Sequence, residues 1–247
     1  MKAKKKTMWW AVSILLLCVW CFACVIAGQL IVAFPMKWIL GAEQFHEPVW
    51  VAVYSALSYI VSLLLIVLIP MVLLNKWKVS REDLGLKGAP TWTDIGLSLV
   101  GFVVATIIAA GITALFSFFP WFNAEEAQDV GFSLILNGPS RVIAFITLVG
   151  LAPIAEEIIF RGWLYGLIRK KTTSVMGKVA SMIISSFIVS ALFGLVHFQW
   201  NVGINVFAMS LVLCALREIT GTIYAGILMH MVKNGVAFWM LYILGIH

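Results

Sequence analysis

Seven stretches of this chain read as membrane-crossing helices, and that pattern constrains the fold more than anything else in the sequence. They fall at about 8–34, 50–74, 95–119, 142–168, 179–198, 202–216 and 223–244. An α-helix needs about 20 apolar residues to cross a bilayer, and the sixth stretch is short by that measure. Hydrophobic residues make up 62% of the chain and charged ones 11%, against about 25% charged in soluble domains. The expected fold is all-α, a polytopic transmembrane helical bundle of about seven or eight helices, the eighth being a re-entrant or interfacial helix. No internal repeat or domain boundary interrupts the pattern. Residues 1–94 read as N-terminal spans with a cytoplasmic loop, and 95–247 as the functional bundle, integrated in one membrane domain.

The net charge of +6 would suggest nucleic acid in a soluble protein. Here the basic residues gather at span ends: Lys2, Lys4, Lys5 and Lys6; Lys76, Lys78, Arg81 and Lys87; Arg169, Lys170, Lys171 and Lys178. Positive loops mark the cytoplasmic side, so headgroup contact replaces nucleic acid as the reading. The chain is expected in the plasma membrane with its N-terminus in the cytoplasm, its first run being too long for a signal peptide's h-region of about 7–15 residues. Segment 120–140 carries Glu125, Glu126 and Asp129 without Lys or Arg and should face outward. Segment 35–47 reads as a short wet loop, 81–86 as an amphipathic turn on the membrane surface, and Cys18, Cys21, Cys24 and Cys214 as small apolar filler.

Against this background Glu156-Glu157-Ile158-Ile159-Phe160-Arg161 stands out. Each charge near a bilayer centre costs roughly 2.5–3.5 kcal/mol on insertion scales. Glu157 and Arg161 lie at i,i+4 on a helix and can pair, whereas Glu156 points about 100° away and has no such partner nearby. Two later spans add Phe193-x-x-x-His197 and His230-x-x-x-Asn234, each on one helix face. Intramembrane ionisable residues face a bundle interior or a wet cavity, so the three sets are expected to converge. Two neutral imidazoles can hold a divalent metal or orient a water. A partly desolvated carboxylate is a plausible general base for that water, and Asn234 can donate an N–H to an oxyanion. The inventory points to hydrolysis by activated water. Gly150 and Pro153, just before Glu156, permit a kink that would widen the helix. Phe193 reads as packing, and Lys233 as pointing elsewhere or pairing with an acid.

At these residues the chain resembles the CAAX protease and bacteriocin-processing (CPBP, or Abi) family of intramembrane proteases. The family's motifs are Glu-Glu-x-x-x-Arg, Phe-x-x-x-His and His-x-x-x-Asn or Asp, and all three occur here in order, with Arg161-Gly162 and the 220–230 lead-in also similar. The resemblance covers about 150–239. It implies a membrane metalloendopeptidase acting on peptides or proteins delivered in or at the membrane. Glu156 would activate water; His197 would hold that water or a metal; His230 and Asn234 would bind metal or stabilise the oxyanion; Glu157 and Arg161 would support the site. The implied cofactor is a divalent metal such as zinc. By analogy the site is expected at mid-membrane, open toward the cytoplasm.

Two other classes stay open at this point. A proton-coupled transporter also places Glu, His and Arg inside a membrane, but its ionisable groups form a path and its halves repeat. A non-catalytic scaffold or immunity protein could keep the fold alone. One topological point is unsettled: at 1.5 Å per residue, His197 lies about 28 Å from Lys178 and Glu156 only about 20 Å from the Arg169 cluster, unless 176–181 runs along the interface.

Overall fold

The computed structural model describes residues 2–72, 75, 77–124, 126 and 138–245. Glu125 and Asp129, part of the acidic segment assigned to the outer face, lie outside the described residues. Among those described there are helices and no strands, and seven helices are long and apolar enough to span a membrane. We label them α1 (Lys2–Phe45), α2 (Pro48–Val72), α3 (Trp92–Phe116), α4 (Gly138–Met176), α5 (Lys178–Leu195), α6 (Trp200–Thr220) and α7 (Tyr224–Leu244). The protein is an integral membrane protein. Leu15, Phe34, Val100, Ile107 and Phe187 sit exposed on the outside of the bundle, an apolar surface that lipid covers and water would not tolerate.

The 77–91, 176–178 and 220–224 connections share one end of the bundle, where Asp83, Gly85 and Gly88 accept from Arg217, Ile223 and Tyr224, and Arg169 reaches Glu218 and Ser181. That end holds most of the basic residues, Lys37, Arg141, Arg161 and Lys233 lying elsewhere, and we call it the basic end. The helix boundaries follow local chemistry. Thr91 and Asp94 form a reciprocal capping box at the start of α3, with Thr91 N–H donating to Asp94 Oδ2 at 2.8 Å. Pro48 opens α2, where its missing N–H costs nothing. Gly177 turns α4 into α5 with φ of 79°, which a side chain would resist.

Four expectations need correction. The segment 35–47 is not a loop: α1 continues through Pro35 to Phe45, redirected at Gly41 (φ 77°). The apolar residues there favour helix, and the redirection buries Phe45, which meets Tyr54 at 5.4 Å. The turn at 81–86 docks on the bundle. Arg217 Nη2 donates to Asp83 O at 3.0 Å, Ile223 N–H to Gly85 O at 3.1 Å and Tyr224 Oη to Gly88 O at 2.9 Å. Gly162 makes this possible, because a Cβ there would lie 2.9 Å from Leu84 O. The sixth span is full length, reaching Thr220 before Gly221 ends it in the left-handed conformation.

The fourth correction settles the levels of the site. The helix does not stop near 168 but runs on to Met176, and α5 begins at once at Lys178. Glu156 is then about 30 Å from Met176 and His197 about 28 Å from Lys178, so the two arrive at the same depth. No interfacial segment is needed. The α4–α5 hairpin projects past the α6–α7 turn, and Tyr165 Oη and Arg169 Nε both bind Glu218 Oε1 at 2.8 Å where the two meet.

Two helices carry π-helical segments beside prolines. In α2 the segment is Leu64–Leu68, and Pro70 has no N–H to offer the Ile66 carbonyl four residues back. Trp20 of α1 supplies one instead, Nε1 to O at 3.3 Å. In α4 the segments are Ile146–Leu151 and Glu157–Leu164, flanking one α turn at Ala152–Glu156. The widening expected around Gly150 and Pro153 takes this form, and such segments are frequent at functional sites.

Candidate active site

Helix α4 is the centre of the bundle, with Ile159 to Ile168 almost continuously buried. Glu157 and Arg161 are both fully buried and pair at 2.9 Å, Oε1 to Nη1. The arginine's guanidinium also lies over the Phe193 ring, 4.4 Å from its centroid. Phe193 therefore does more than fill space. It meets Phe160 at 4.8 Å, His197 at 5.1 Å and His230 at 6.0 Å, and so touches the cation and both imidazoles.

His197 lies just past the end of α5, where the last carbonyls have no helical partner. Its Nδ1 is 2.7 Å from Phe193 O, which only an Nδ1–H can satisfy, leaving Nε2 as the free nitrogen. His230, on α7, is 3% exposed. Its Nδ1 is 3.1 Å from Glu157 Oε1, the same oxygen that receives Arg161. A carboxylate accepts, so Nδ1 carries the proton and Nε2 faces the other way. There it meets Glu156 Oε2 at 3.6 Å. That separation is too long for a direct hydrogen bond and suits a shared water. Glu157 thus does for His230 what orienting carboxylates do for catalytic and metal-binding histidines generally: it fixes tautomer and ring plane.

Asn234 is placed by a proline. In the π segment Ala152 N–H donates to Thr147 O, five residues back. In that register the next carbonyl, Leu148, would receive residue 153, which is Pro153 and has no N–H. Asn234 Nδ2 donates to Leu148 O at 2.9 Å. One amide hydrogen is committed there, and the second is left for the cavity that Asn234 lines.

The cavity has a volume of about 240 Å³ and brings Glu156, His197, His230 and Asn234 together. It is also lined by Leu148 and Ala152 of α4, Phe238 and Tyr242 of α7, and Ser55 of α2. All of these lie on the side of Glu156 or His230 away from the basic end. The cavity therefore extends toward the opposite end of the bundle.

Two lining residues were not foreseen. Tyr59 of α2 directs its hydroxyl at the Glu156 carboxylate, so Glu156 does have a neighbour, supplied from the N-terminal region. The signal was present: Ser55, Ser58, Tyr59 and Ser62 form a polar stripe at helical spacing on an otherwise apolar span. Lys233 is the second. It lines the same cavity and feels the charge of Glu156.

The donor set has the chemistry of a metal site: two imidazoles with Nε2 free and Nδ1 anchored, beside a carboxylate. Among the described residues, however, no three His, Cys, Asp or Glu side chains are gathered closely enough to hold an ion as they stand. The fully buried Arg161 keeps Nε and Nη2, and Glu157 keeps Oε2, without protein partners. Gly226 explains the last, since a Cβ there would lie 3.0 Å from that oxygen.

The described residues thus form seven membrane-length helices with a glutamate, two histidines and an asparagine converging on one internal cavity. Residues 138–236, which hold all three motifs, match the family described as Type II CAAX prenyl endopeptidase Rce1-like. The family so matched is one of CAAX prenyl endopeptidases. Comparison with curated proteins and with solved structures gave no match.

Proposed function

We propose that the protein cleaves membrane-delivered peptides or proteins with a water molecule activated by Glu156. The observation that carries this reading is the 3.6 Å approach of Glu156 Oε2 to His230 Nε2, with Glu157 and Arg161 closing the far side of the imidazole. A water between them donates one hydrogen to the carboxylate and one to Nε2. Glu156 takes its proton as the oxygen attacks the scissile carbonyl, and returns it to the leaving amine. The second N–H of Asn234 is available to the oxyanion. His197 Nε2 holds the water or substrate from α5, and Tyr59 steadies Glu156.

His197 and His230 are the residues that would hold a divalent cation such as zinc. When bound it would polarise the water and the carbonyl as a Lewis acid. In our reading the basic end faces the cytoplasm of the plasma membrane, N-terminus included, so the cavity extends toward the opposite face.

The test is comparative peptidomics of membranes carrying the wild type, Glu156→Gln or Glu157→Gln. Peptides that disappear in Glu156→Gln while the protein level holds are the products. Identical peptide pools would sink the hydrolase reading. Chelation followed by zinc add-back on the purified protein tests the metal: full turnover after stripping removes it from the mechanism.

A further inference from the structure

Lys233 stands between two cavities. It lines the catalytic cavity and also a groove of about 560 Å³ between α3, α6 and α7, and Val206 is the other residue common to both. The groove is walled by small and flexible side chains, among them Ala105, Ala109, Thr113, Met209 and Met229. Lys233 is the one cation among the residues lining either cavity. Among the described residues no hydrogen bond or ion pair holds its ammonium, and Glu156 is the charge that acts on it. The other deep cation, Arg161, is fully buried in its pair with Glu157. A lone ammonium at membrane depth is costly, and one turn of helix places this one beside the reacting groups.

We propose that Lys233 is an anion subsite of the catalytic cavity, taking a carboxylate of the peptide substrate while the groove receives the neighbouring apolar side chains. This rests on the proteolytic reading of the site. A peptide bond is neutral, and the anion a peptide carries without modification is a carboxylate, at its C-terminus or on Asp or Glu. Lys233 is three residues from His230, about 4.5 Å along the helix axis. An extended residue spans about 3.3–3.6 Å. The carboxylate therefore belongs to a residue about one to three positions from the bond that is cut.

The experiment uses the full-length Glu156→Gln protein in nanodiscs, so that nothing is cleaved. Three probes are compared by fluorescence anisotropy: a dansyl-labelled apolar pentapeptide with a free C-terminus, its C-terminal amide, and the amide with one internal glutamate. The free acid or the glutamate peptide is expected to bind at least ten-fold tighter than the plain amide. Which of the two does so assigns the carboxylate to the chain end or to a side chain. Adding Lys233→Met should erase the preference, and Lys233→Arg should keep it. Equal binding of all three probes overturns the subsite, even if Lys233→Met does not fold, as does a preference that survives Lys233→Met. Mass spectrometry of the same peptides with the Glu156-intact protein separates the two readings. Cleavage without carboxylate preference sinks the subsite alone, whereas carboxylate-selective binding with no Glu156-dependent cleavage sinks the protease alone.

Discussion

Helix α4 carries two polar clusters, and they are built on opposite terms. Toward the basic end, Arg169, Tyr165 and Glu218 satisfy one another, and Arg169 also reaches Thr173 and Ser181, which binds Thr172. Each of these donors ends on an acceptor of the protein. About 20 Å further along the helix, the Glu156 cluster is left open. His197 and His230 each spend one nitrogen on the scaffold and keep one, Asn234 spends one hydrogen and keeps one, and Lys233 spends none. Both clusters contain Glu, Arg or Lys and hydroxyls, so composition does not separate them. What separates them is how much bonding capacity is left over, and where it points.

The comparison breaks or sharpens under five substitutions or changes of condition. The largest effect is expected from Glu156→Gln, which should lower turnover by about 10²–10⁴-fold, the usual weight of a general base, while leaving the melting temperature unchanged. Arg161→Met comes next. It strands the fully buried Glu157, and breaking a buried pair costs about 3–5 kcal/mol, visible as a collapse in detergent thermostability. Gly226→Ala presses on Glu157 Oε2 and through it on His230. We expect turnover to fall about ten-fold, with little loss of folded protein by size exclusion; an unchanged rate would remove Glu157 from the site's geometry.

Glu218→Gln acts on the closed cluster and should do the reverse, costing on the order of 1 kcal/mol of stability with catalysis per folded molecule retained. The smallest effect is one of pH at that cluster's edge. Hydrogen bonds from the Ser80 N–H and hydroxyl hold the Asp83 carboxyl below its usual range. Its contribution is thus present above the ordinary Asp value of about 3.9 and is lost as pH falls through the lower folded value. Hydrogen exchange in 80–86 should quicken below about pH 4, and Asp83→Asn should show the quickened exchange at neutral pH.

How much of this was legible in the sequence depended on whether the signal was local. Helix type, the span count and the Glu157–Arg161 pair rest on spacing within one segment, and they were readable. So was the convergence of Glu156, His197, His230 and Asn234, because charge at membrane depth must be shared between helices. Tyr59 was missed because a tyrosine among serines on an apolar span carries no charge to draw attention. Lys233 was read as pointing elsewhere or pairing with an acid; Glu156 is the acid beside it, but a helix wheel cannot show that this side chain lines two cavities. The loop expected at 35–47 failed because Pro35 was read as a stop, when in a long apolar helix it is only a bend. The direction of the cavity could not be read from motifs at all. It depends on which residues flank the site above and below, and those are ordinary apolar ones.

Pro70 and Pro153 each export a hydrogen bond. A proline withholds its N–H from its own helix, and the carbonyl so released is taken by a side chain of another one, Trp20 in the first case and Asn234 in the second. Each pair is therefore a single stitch written in two distant places. Restoring an N–H at residue 153 would give Leu148 a partner at home and unmoor Asn234, and removing Asn234 would orphan the carbonyl. The two changes made together should then cost less than their sum, so that the spacing of α4 and α7 across the cavity is inherited as a pair or not at all.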